Sequence, residues 1–361
     1  MNNKILSIVV PCYNCASFID NLFSHVNFEQ LNNEVDFYLI NDGSKDNTYE
    51  VLLKLQKRYG RDLINVFNKE NGNWGSVHNF AKHLNIKGKY IKTLDSDDYL
   101  DPYGLIKFVS FLKKLPENID LIFSSVNFIN EYDEIVSQKF YDKLFKKDIF
   151  KIDEIKITKL SVLTVHAFTM KKEIYTSIPD LPIKMSYMDS VFIFLVVNAS
   201  VNYCTFFSYA PLYQYQSGNE SQTISIQNFV KHADWIKIMV ETEAKYAVSL
   251  KMFSQNSDNK NRILCQMMQL GYFQYCYAIV NNEALNKRQK SNLMYELLIE
   301  IKKILGKYNF NKYFKDFTIS VIYFLKCRLL TSSINIAQIA LNSGYLKATR
   351  KDGKRKKLTI I

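Results

Sequence analysis

The sequence predicts an α/β fold in which helices flank a mostly parallel central sheet, followed by a helical C-terminal region. Short β-rich runs alternate with amphipathic segments through residues 1–125, which is typical of βαβ units. Polar clusters directly follow three of these runs, where ligands of parallel sheets bind. Beyond residue 227, apolar residues recur with a period near 3.6, which predicts helices.

Five strands are predicted in the first part of the chain. They lie at 5–10, 35–40, 63–67, 90–94 and 120–125. Residues 126–160 lose the alternation and are predicted to be irregular. The segment 190–219 has no charged residue, but polar side chains and Pro211 interrupt it, and its apolar run is far below the ~20 residues of a membrane-spanning helix. It therefore predicts a buried helix that starts near Tyr187 and a buried strand at 202–209.

The C-terminal part reads as helical. Helices are predicted at 230–250, near 260–281, at 288–306 and at 334–346. We expect a first domain over 1–226, with a nucleotide-binding part at about 1–125 and an acceptor part at about 126–226. A helical region at 227–346 and a basic tail at 347–361 follow it.

Charge is concentrated at the C-terminal end of the sequence. The formal net charge is +12, and the stretch after Leu346 has seven basic residues and one acidic one, about half of the excess. That tail is either a solvated, disordered end or a patch that contacts anionic lipid. The six cysteines are mostly scattered, and MNNKILSIVVP does not resemble a signal peptide, so we expect a reducing cytoplasm, with peripheral contact at the inner membrane face left open.

The stretch YIKTLDSDDYLDP places Asp95, Asp97 and Asp98 directly after a strand. Carboxylates this close repel one another unless N–H groups or a cation compensate them. Asp101 precedes Pro102 and is predicted to cap a helix, and Asp98 fits the same turn. Asp95 and Asp97 then remain as a pair that suits Mg²⁺ or Mn²⁺ bound to phosphate.

Two further clusters follow strands. In NDGSKDNTY, one of Asp46, Asn47 or Thr48 is expected to cap the next helix, whereas Asp42 lies too early for a cap and suits a ligand. In KENGNWGSVHN, two glycines precede a helix whose N–H groups could face a phosphate. His78 and His83 read as surface positions of that helix.

The motif Cys12-x-x-Cys15 allows a competing function, because thioredoxin-like redox sites have this layout between a strand and a helix. Here the pair lies in the first turn of a long α/β sheet, without a second redox element. A thiol oxidoreductase therefore stays a remote alternative.

With Pro11, NDGS, GNWGSVHN and LDSDD in this order, the chain resembles the family-2 inverting glycosyltransferases, which have the GT-A fold. The resemblance covers roughly 4–235. It implies transfer of a sugar from a nucleotide-sugar donor, most simply a UDP-sugar, to a hydroxyl of a glycan, glycolipid or glycoprotein, with Mn²⁺ or Mg²⁺ as cofactor. It implies no nucleic-acid partner, and self-association is left open.

The resemblance also implies roles for individual residues. Asp189 would be the catalytic base, and Asp97 and Asp95 would bind the metal. The nucleotide-binding residues would be Pro11, Tyr13, Asn14, Asp42, Asn71, Gly75, Asn79, Asp95 and Ser96. Gln222 and Thr223 could contribute to a diphosphate loop. A non-catalytic subunit that keeps the fold for binding is the alternative from another class, although these acids are all present.

Overall fold

A computed structural model gives the fold. It describes residues 4–24, 31, 33–139, 148–154, 164–186, 188–209, 211–216, 233–252, 261, 275–276, 279, 282–310, 346–351 and 355–360. The chain divides into two compact units, Met1–Ile155 with Val162–Gln222, and Lys156–Ser161 with Thr223–Ile361. No helix among the described residues is long and apolar enough to cross a bilayer.

The first unit contains a large mixed sheet with strand order β3-β2-β1-β4-β10-β6-β11-β9. Its strands are β1 Leu6–Cys12, β2 Val35–Asp42, β3 Ile64–Lys69, β4 Tyr90–Thr93, β6 Ile119–Ser124, β9 Ile149–Phe150, β10 Phe168–Lys171 and β11 Tyr203–Phe207. The pairs among β1, β2, β3 and β4 are parallel, whereas β10 runs antiparallel to both β4 and β6. The predicted α/β class with a central sheet and flanking helices is confirmed.

Helices of the first unit follow the strands as expected. They are α1 Ile19–Ser24, α2 Thr48–Tyr59, α3 Asn73–Lys82, α4 Pro102–Leu112, α5 Lys172–Ser177 and α6 Met188–Ala199. The α6 helix is buried over most of its length and β11 follows it, so the uncharged segment is a buried helix and strand, as predicted. Asp101 caps α4 by accepting a hydrogen bond from the backbone N–H of Gly104, and Asp46 accepts one from that of Thr48 at the start of α2.

Residues 126–160 are not uniformly irregular, contrary to the prediction. A second sheet has the order β5-β12-β7-β8, formed by β5 Tyr99–Leu100, β7 Val126–Ile129, β8 Ile135–Lys139 and β12 Tyr213–Gln216. Its strands are short and β8 is exposed where its burial is described, so the sequence gives little hydrophobic alternation there. This sheet brings β12 beside the strand that follows the aspartate cluster.

The second unit contains two described long helices, α7 Ala233–Ser249 and α8 Lys287–Lys307, which confirm the helices predicted at 230–250 and 288–306. A capping box of Asn286 and Gln289 begins α8. The helices predicted near 260–281 and at 334–346 lie almost entirely outside the described residues. In the basic tail, β13 Leu346–Lys351 pairs antiparallel with β14 Arg355–Ile360.

Asp36, near the amino end of β2, should make the stability of the fold depend on pH. It is buried, accepts a hydrogen bond from Ser7, and burial raises its pKa to about 6. Because the folded state holds this proton more tightly than the unfolded state, the charged side chain destabilises the fold increasingly as pH rises from about 4 to about 6. We expect Asp36→Asn to stabilise the chain by on the order of 2 kcal/mol at pH 8 and by little at pH 4.

Chemical denaturation at the two pH values measures this effect. Asp62→Asn is the matched control, because the Asp62 side chain is almost fully exposed and its removal should change little at either pH. An equal gain for Asp36→Asn at both pH values would contradict the account.

Candidate active site

Asp42, at the carboxyl end of β2, organises the loop that follows β3. Its carboxylate accepts hydrogen bonds from Lys69 Nζ at 2.5 Å, from the side-chain amide of Asn71 at 3.2 Å and from the backbone N–H of Asn73 at 2.8 Å. Gly43 has a φ of 65°, and a Cβ at that position would lie 2.7 Å from the backbone nitrogen of Asn71. The NDGS turn and the GNWGS loop therefore form one unit, and the nucleotide contact of Asp42 stays a prediction.

The turn after β1 joins the same unit. The backbone N–H of Asn14 donates to Ser44 Oγ at 3.0 Å, and Asn14 Oδ1 accepts from the N–H of Lys45 at 2.8 Å. Pro11 lies near the end of β1, and the Tyr13 ring is 44% exposed at this edge. An exposed ring beside linked loops is suited to stacking on a flat base.

Asp95 is the centre of the cluster that follows β4. Its Oδ1 accepts from Trp74 Nε1 at 3.3 Å, its Oδ2 lies 3.2 Å from His166 Nε2, and its backbone N–H donates to the Tyr213 hydroxyl at 3.1 Å. The contact with Trp74 links this cluster to the GNWGS loop. The three polar strand ends therefore meet at one edge, as predicted.

Asp98 does not belong to the helix cap, contrary to the expectation. It is buried, and it accepts hydrogen bonds from the Tyr213 hydroxyl at 2.7 Å and from the backbone N–H of Gln216 at 2.8 Å. Asp101 alone caps α4. Asp98 thus ties the aspartate cluster to β12 of the second sheet.

The three carboxyl groups differ in their protonation. Burial opposes ionisation of Asp95, but hydrogen bonds from His166 and Trp74 outweigh it and lower its pKa. Burial and the negative charge of Asp95 raise the pKa of Asp97. Burial, together with the charges of both neighbours, raises the pKa of Asp98 well above its usual range. Negative charge in this cluster is therefore only partly compensated by the protein groups around it.

These residues fit a divalent cation. One donor atom each from Asp95, Asp98 and His166 can be found within 4.8 Å of one another. Carboxylate oxygens and an imidazole nitrogen together suit Mn²⁺ and related ions. Asp97, the predicted metal ligand, lies in the same turn, and a cation there would offset the repulsion that raises its pKa.

The segment before α6 is fastened to α3. The side-chain amide of Asn79 donates to the carbonyl of Leu181 and accepts from its N–H, both at 2.8 Å. A Cβ on Gly75 would lie 2.6 Å from the carbonyl oxygen of Pro182, so a larger residue would push this segment away. Asn79 and Gly75 thereby hold the segment at 181–182 against α3, and their predicted contact with the donor stays a prediction.

Asp189 lies in the first turn of α6, which begins at Met188, so it is not the N-cap residue. Burial raises its pKa, opposed by His166 and reinforced by the charge of Asp95. Burial raises the pKa of the Tyr215 hydroxyl, and the negative charges of the aspartate cluster and of Asp189 raise it further. Asp189 therefore belongs to the electrostatic environment of this cluster.

One histidine expectation was wrong. His78 is 1% exposed, its ring lies 3.9 Å from that of Trp74 between centroids, and burial lowers its pKa to about 3. It is a neutral packing residue that supports Trp74. His83 is exposed at the end of α3, as expected.

The cysteine motif is inaccessible. Cys12 and Cys15 are both fully buried, and burial raises the pKa of the Cys12 thiol. Thiol–disulfide exchange requires an accessible thiolate, so the geometry disfavours the oxidoreductase alternative. Hydrogen bonds with Thr48 and Ser96 instead connect Cys15 to the loops of the site. Gln222 and Thr223 lie outside the described residues.

Sequence reasoning missed His166, Trp74 and Tyr213. His166 precedes β10, whose antiparallel direction brings its amino end beside the carboxyl end of β4. The sequence signal was a histidine within the apolar run VLTVHAF, which has meaning only once the strand direction is known. Tyr213 arrives through the second sheet, which was not predicted.

The sequence is similar to one family model and to several known proteins. The sequence model described as glycosyl transferase family 2 matches residues 7–178. An uncharacterized glycosyltransferase of Mycoplasma genitalium, MG060, is 31% identical over 199 residues, which cover 52% of this chain and 61% of that protein. The chondroitin synthase of Pasteurella multocida is 40% identical over 99 residues, 27% of this chain and 10% of that protein. The chain thus matches only about three-fifths of the Mycoplasma relative.

Among solved structures, residues 1–349 of S. aureus TarS in complex with UDP-GlcNAc give a TM-score of 0.61 at 15% identity. The alignment covers 98% of this chain and 99% of that one. At this identity the likeness establishes the fold.

Proposed function

Because the chain belongs to glycosyltransferase family 2 and has the GT-A fold, we propose that it transfers a sugar from a nucleotide-sugar donor to a hydroxyl acceptor with inversion. The observation that carries this proposal is the meeting of three loops at one edge of the sheet, where Asn14 contacts Ser44, Asp42 binds the loop after β3, and Trp74 of that loop donates to Asp95. The aspartate cluster is thereby available for the diphosphate side of the donor, and Asp189 remains for the acceptor.

The donor would be a UDP-sugar, which is supported by the complex of TarS with UDP-GlcNAc. Pro11, Tyr13, Asn14 and Asp42 would hold the base and the ribose, with the Tyr13 ring stacked on the base. Asn71, Gly75 and Asn79 would line the pocket of the sugar nucleotide. Ser96, which lies between Asp95 and Asp97 in the sequence and hydrogen-bonds Cys15, would also contact the nucleotide.

Asp95 and Asp97 would hold Mn²⁺ or Mg²⁺, and such an ion, when bound, stabilises the negative charge that develops on the leaving diphosphate. Asp189 would accept the proton of the acceptor hydroxyl. The hydroxyl oxygen forms a bond to the anomeric carbon while the bond from that carbon to the phosphate oxygen breaks, and its electron pair leaves with the nucleoside diphosphate. Displacement in one step inverts the anomeric centre.

A raised pKa suits Asp189 for this role. A carboxylate with a pKa above its ordinary value is a stronger base toward the proton of the acceptor hydroxyl. Fixing the segment before α6 through Asn79 and Gly75 would hold this base at a set distance from the donor.

The remaining parts of the proposal concern the acceptor and the location. The name of the Pasteurella relative supports a glycan acceptor, and the acceptor-binding part would be formed by about 126–226. The helical region at 227–346 would form a contact between copies of the chain. The protein would act in the cytoplasm, with the tail at 347–361 docking on anionic lipid, which co-sedimentation with anionic vesicles tests.

A screen of UDP-, GDP- and dTDP-sugars tests the function, because transferases hydrolyse their donor slowly when water replaces the acceptor. We expect release of UDP from one UDP-sugar in Mn²⁺ and none after chelation. A folded protein that neither binds nor hydrolyses any nucleotide sugar would favour the scaffold alternative. A Cys12→Ser, Cys15→Ser double variant with full hydrolysis would remove the thiol alternative.

A further inference from the structure

His166 is held against Asp95 by three separate contacts. Its Nε2 lies 3.2 Å from Asp95 Oδ2, and its ring packs against those of Tyr213 and Tyr215, at centroid distances of 4.8 and 4.9 Å. The side chain is 15% exposed, so it lies at the base of the cluster with one face toward the edge of the site. No sequence motif of the donor site includes this residue.

The backbone of His166 is held by a buried lysine side chain. Lys92, in the central strand β4, donates from Nζ to the carbonyl oxygens of His166 at 2.8 Å and Phe168 at 3.3 Å. Lys92 Nζ also lies 5.4 Å from the centroid of the Tyr213 ring. A buried lysine is costly, and here its hydrogen bonds are directed to the two carbonyls that bracket the amino end of β10. The orientation of the imidazole is therefore set before any ligand arrives.

The spacing of the two side chains matches that of two ligands on one ion. Two adjacent ligands of an octahedral ion with bonds of roughly 2.1 Å lie about 3.0 Å apart. The observed separation of 3.2 Å between His166 Nε2 and Asp95 Oδ2 is close to this value. An ion could therefore replace the shared proton without moving either group far.

Asp98 is a poor candidate for the remaining protein ligand. Each of its oxygens already accepts a hydrogen bond, from Tyr213 and from the backbone of Gln216. Asp97 is half-buried in the same turn, and its carboxylate bonds to its own backbone N–H and to no other group among the described residues. Asp97 therefore remains as a ligand beside the pair of Asp95 Oδ2 and His166 Nε2, which are bonded to each other and would exchange that shared hydrogen for the ion.

We propose that His166 is a nitrogen ligand of the divalent cation and that it makes the site select Mn²⁺ over Mg²⁺. An all-oxygen set accepts both ions, whereas imidazole favours the transition metal. This inference rests on the proposed function, since it assumes a cation at the donor diphosphate. It adds the identity of the ion and the residue that selects it.

Pulsed electron paramagnetic resonance on the full chain with Mn²⁺ and UDP gives a direct test. Protein labelled with ¹⁵N-histidine should show a ¹⁵N coupling of a directly bound imidazole, which unlabelled UDP cannot produce. His166→Gln should lose that coupling, and calorimetry should show Mn²⁺ affinity falling by on the order of 10- to 100-fold with a much smaller change for Mg²⁺. His83→Gln, at an exposed position of α3, is the matched control and should keep both signals.

Three outcomes would overturn the inference. If Mn²⁺ binds with UDP but wild-type protein shows no ¹⁵N coupling, His166 only positions Asp95, whether or not the variant folds. If a folded His166→Gln keeps the preference for Mn²⁺ over Mg²⁺, the selection lies elsewhere. If neither Mn²⁺ nor Mg²⁺ binds with UDP, the proposed function fails and the inference falls with it.

Discussion

Asp97→Ala should abolish metal-dependent binding of UDP while leaving the fold intact. Burial and the charge of Asp95 raise the pKa of Asp97, which shows that the carboxylate lies in an environment that disfavours its charge. A cation bound between Asp97 and Asp95 would offset this repulsion. Without the Asp97 carboxylate, an ion would keep one carboxylate and one imidazole, and we expect UDP affinity in Mn²⁺ to fall by on the order of 10²-fold or more.

Calorimetry with UDP in Mn²⁺ and in chelator measures the effect, with thermal melting as the check on folding. Asp101→Asn is the matched control, because it removes a nearby charge while asparagine still caps α4. The control should bind UDP as the wild type does. Unchanged UDP affinity in a folded Asp97→Ala protein would show that the aspartate cluster is structural.

The sequence was sufficient to predict the parallel half of the sheet. Continuous apolar runs such as LSIVV are typical of strands buried on both faces, and the polar clusters at their carboxyl ends could be assigned to one edge by the rule for parallel sheets. Local chemistry also predicted the cap at Asp101, because a cap depends on residues within one turn. These features are encoded in neighbouring residues.

The remaining part of the site depends on contacts between distant segments. His166 reaches Asp95 across 71 positions because β10 runs antiparallel, and Tyr213 reaches Asp98 across 115 positions through the second sheet. Neither pairing leaves a periodic signal. The prediction that His78 lies at the surface was wrong for a related reason. Tyr175 and Phe192 cover its ring, and both belong to elements about a hundred residues later in the chain.

Asp189→Asn should reduce sugar transfer by on the order of 10²- to 10⁴-fold, the usual contribution of a positioned general base. Asparagine has nearly the same shape but cannot accept a proton at neutral pH. Because burial raises the pKa of Asp189, removing its charge should not destabilise the fold strongly, and the lost interaction with the helix dipole is worth only about 0.3–1 kcal/mol. Donor binding should be retained, since the predicted donor contacts lie on other elements.

The pH dependence adds a second readout for the same residue. A base must be unprotonated, so wild-type turnover should fall as pH decreases through a pKa above the ordinary range of aspartate, whereas the residual turnover of Asp189→Asn should lack that step. Asp189→Ala should lose transfer to the same extent and melt close to the wild type, because α6 begins at Met188 and Asp189 is not its cap.

Asp180→Asn is the control that separates this base from the other nearby acid. The Asp180 side chain is 66% exposed and pairs with Lys82 at 2.8 Å, so its replacement should leave transfer at saturating donor nearly unchanged. The measurement is turnover for each variant, alongside melting temperature and UDP affinity. Near-wild-type turnover in a folded Asp189→Asn protein would exclude Asp189 as the base, and a large loss in Asp180→Asn would move the role there. If only Asp189→Asn loses transfer and it still binds UDP, Asp189 acts on the acceptor. Asp97, whose replacement is expected to abolish UDP binding, then acts on the donor.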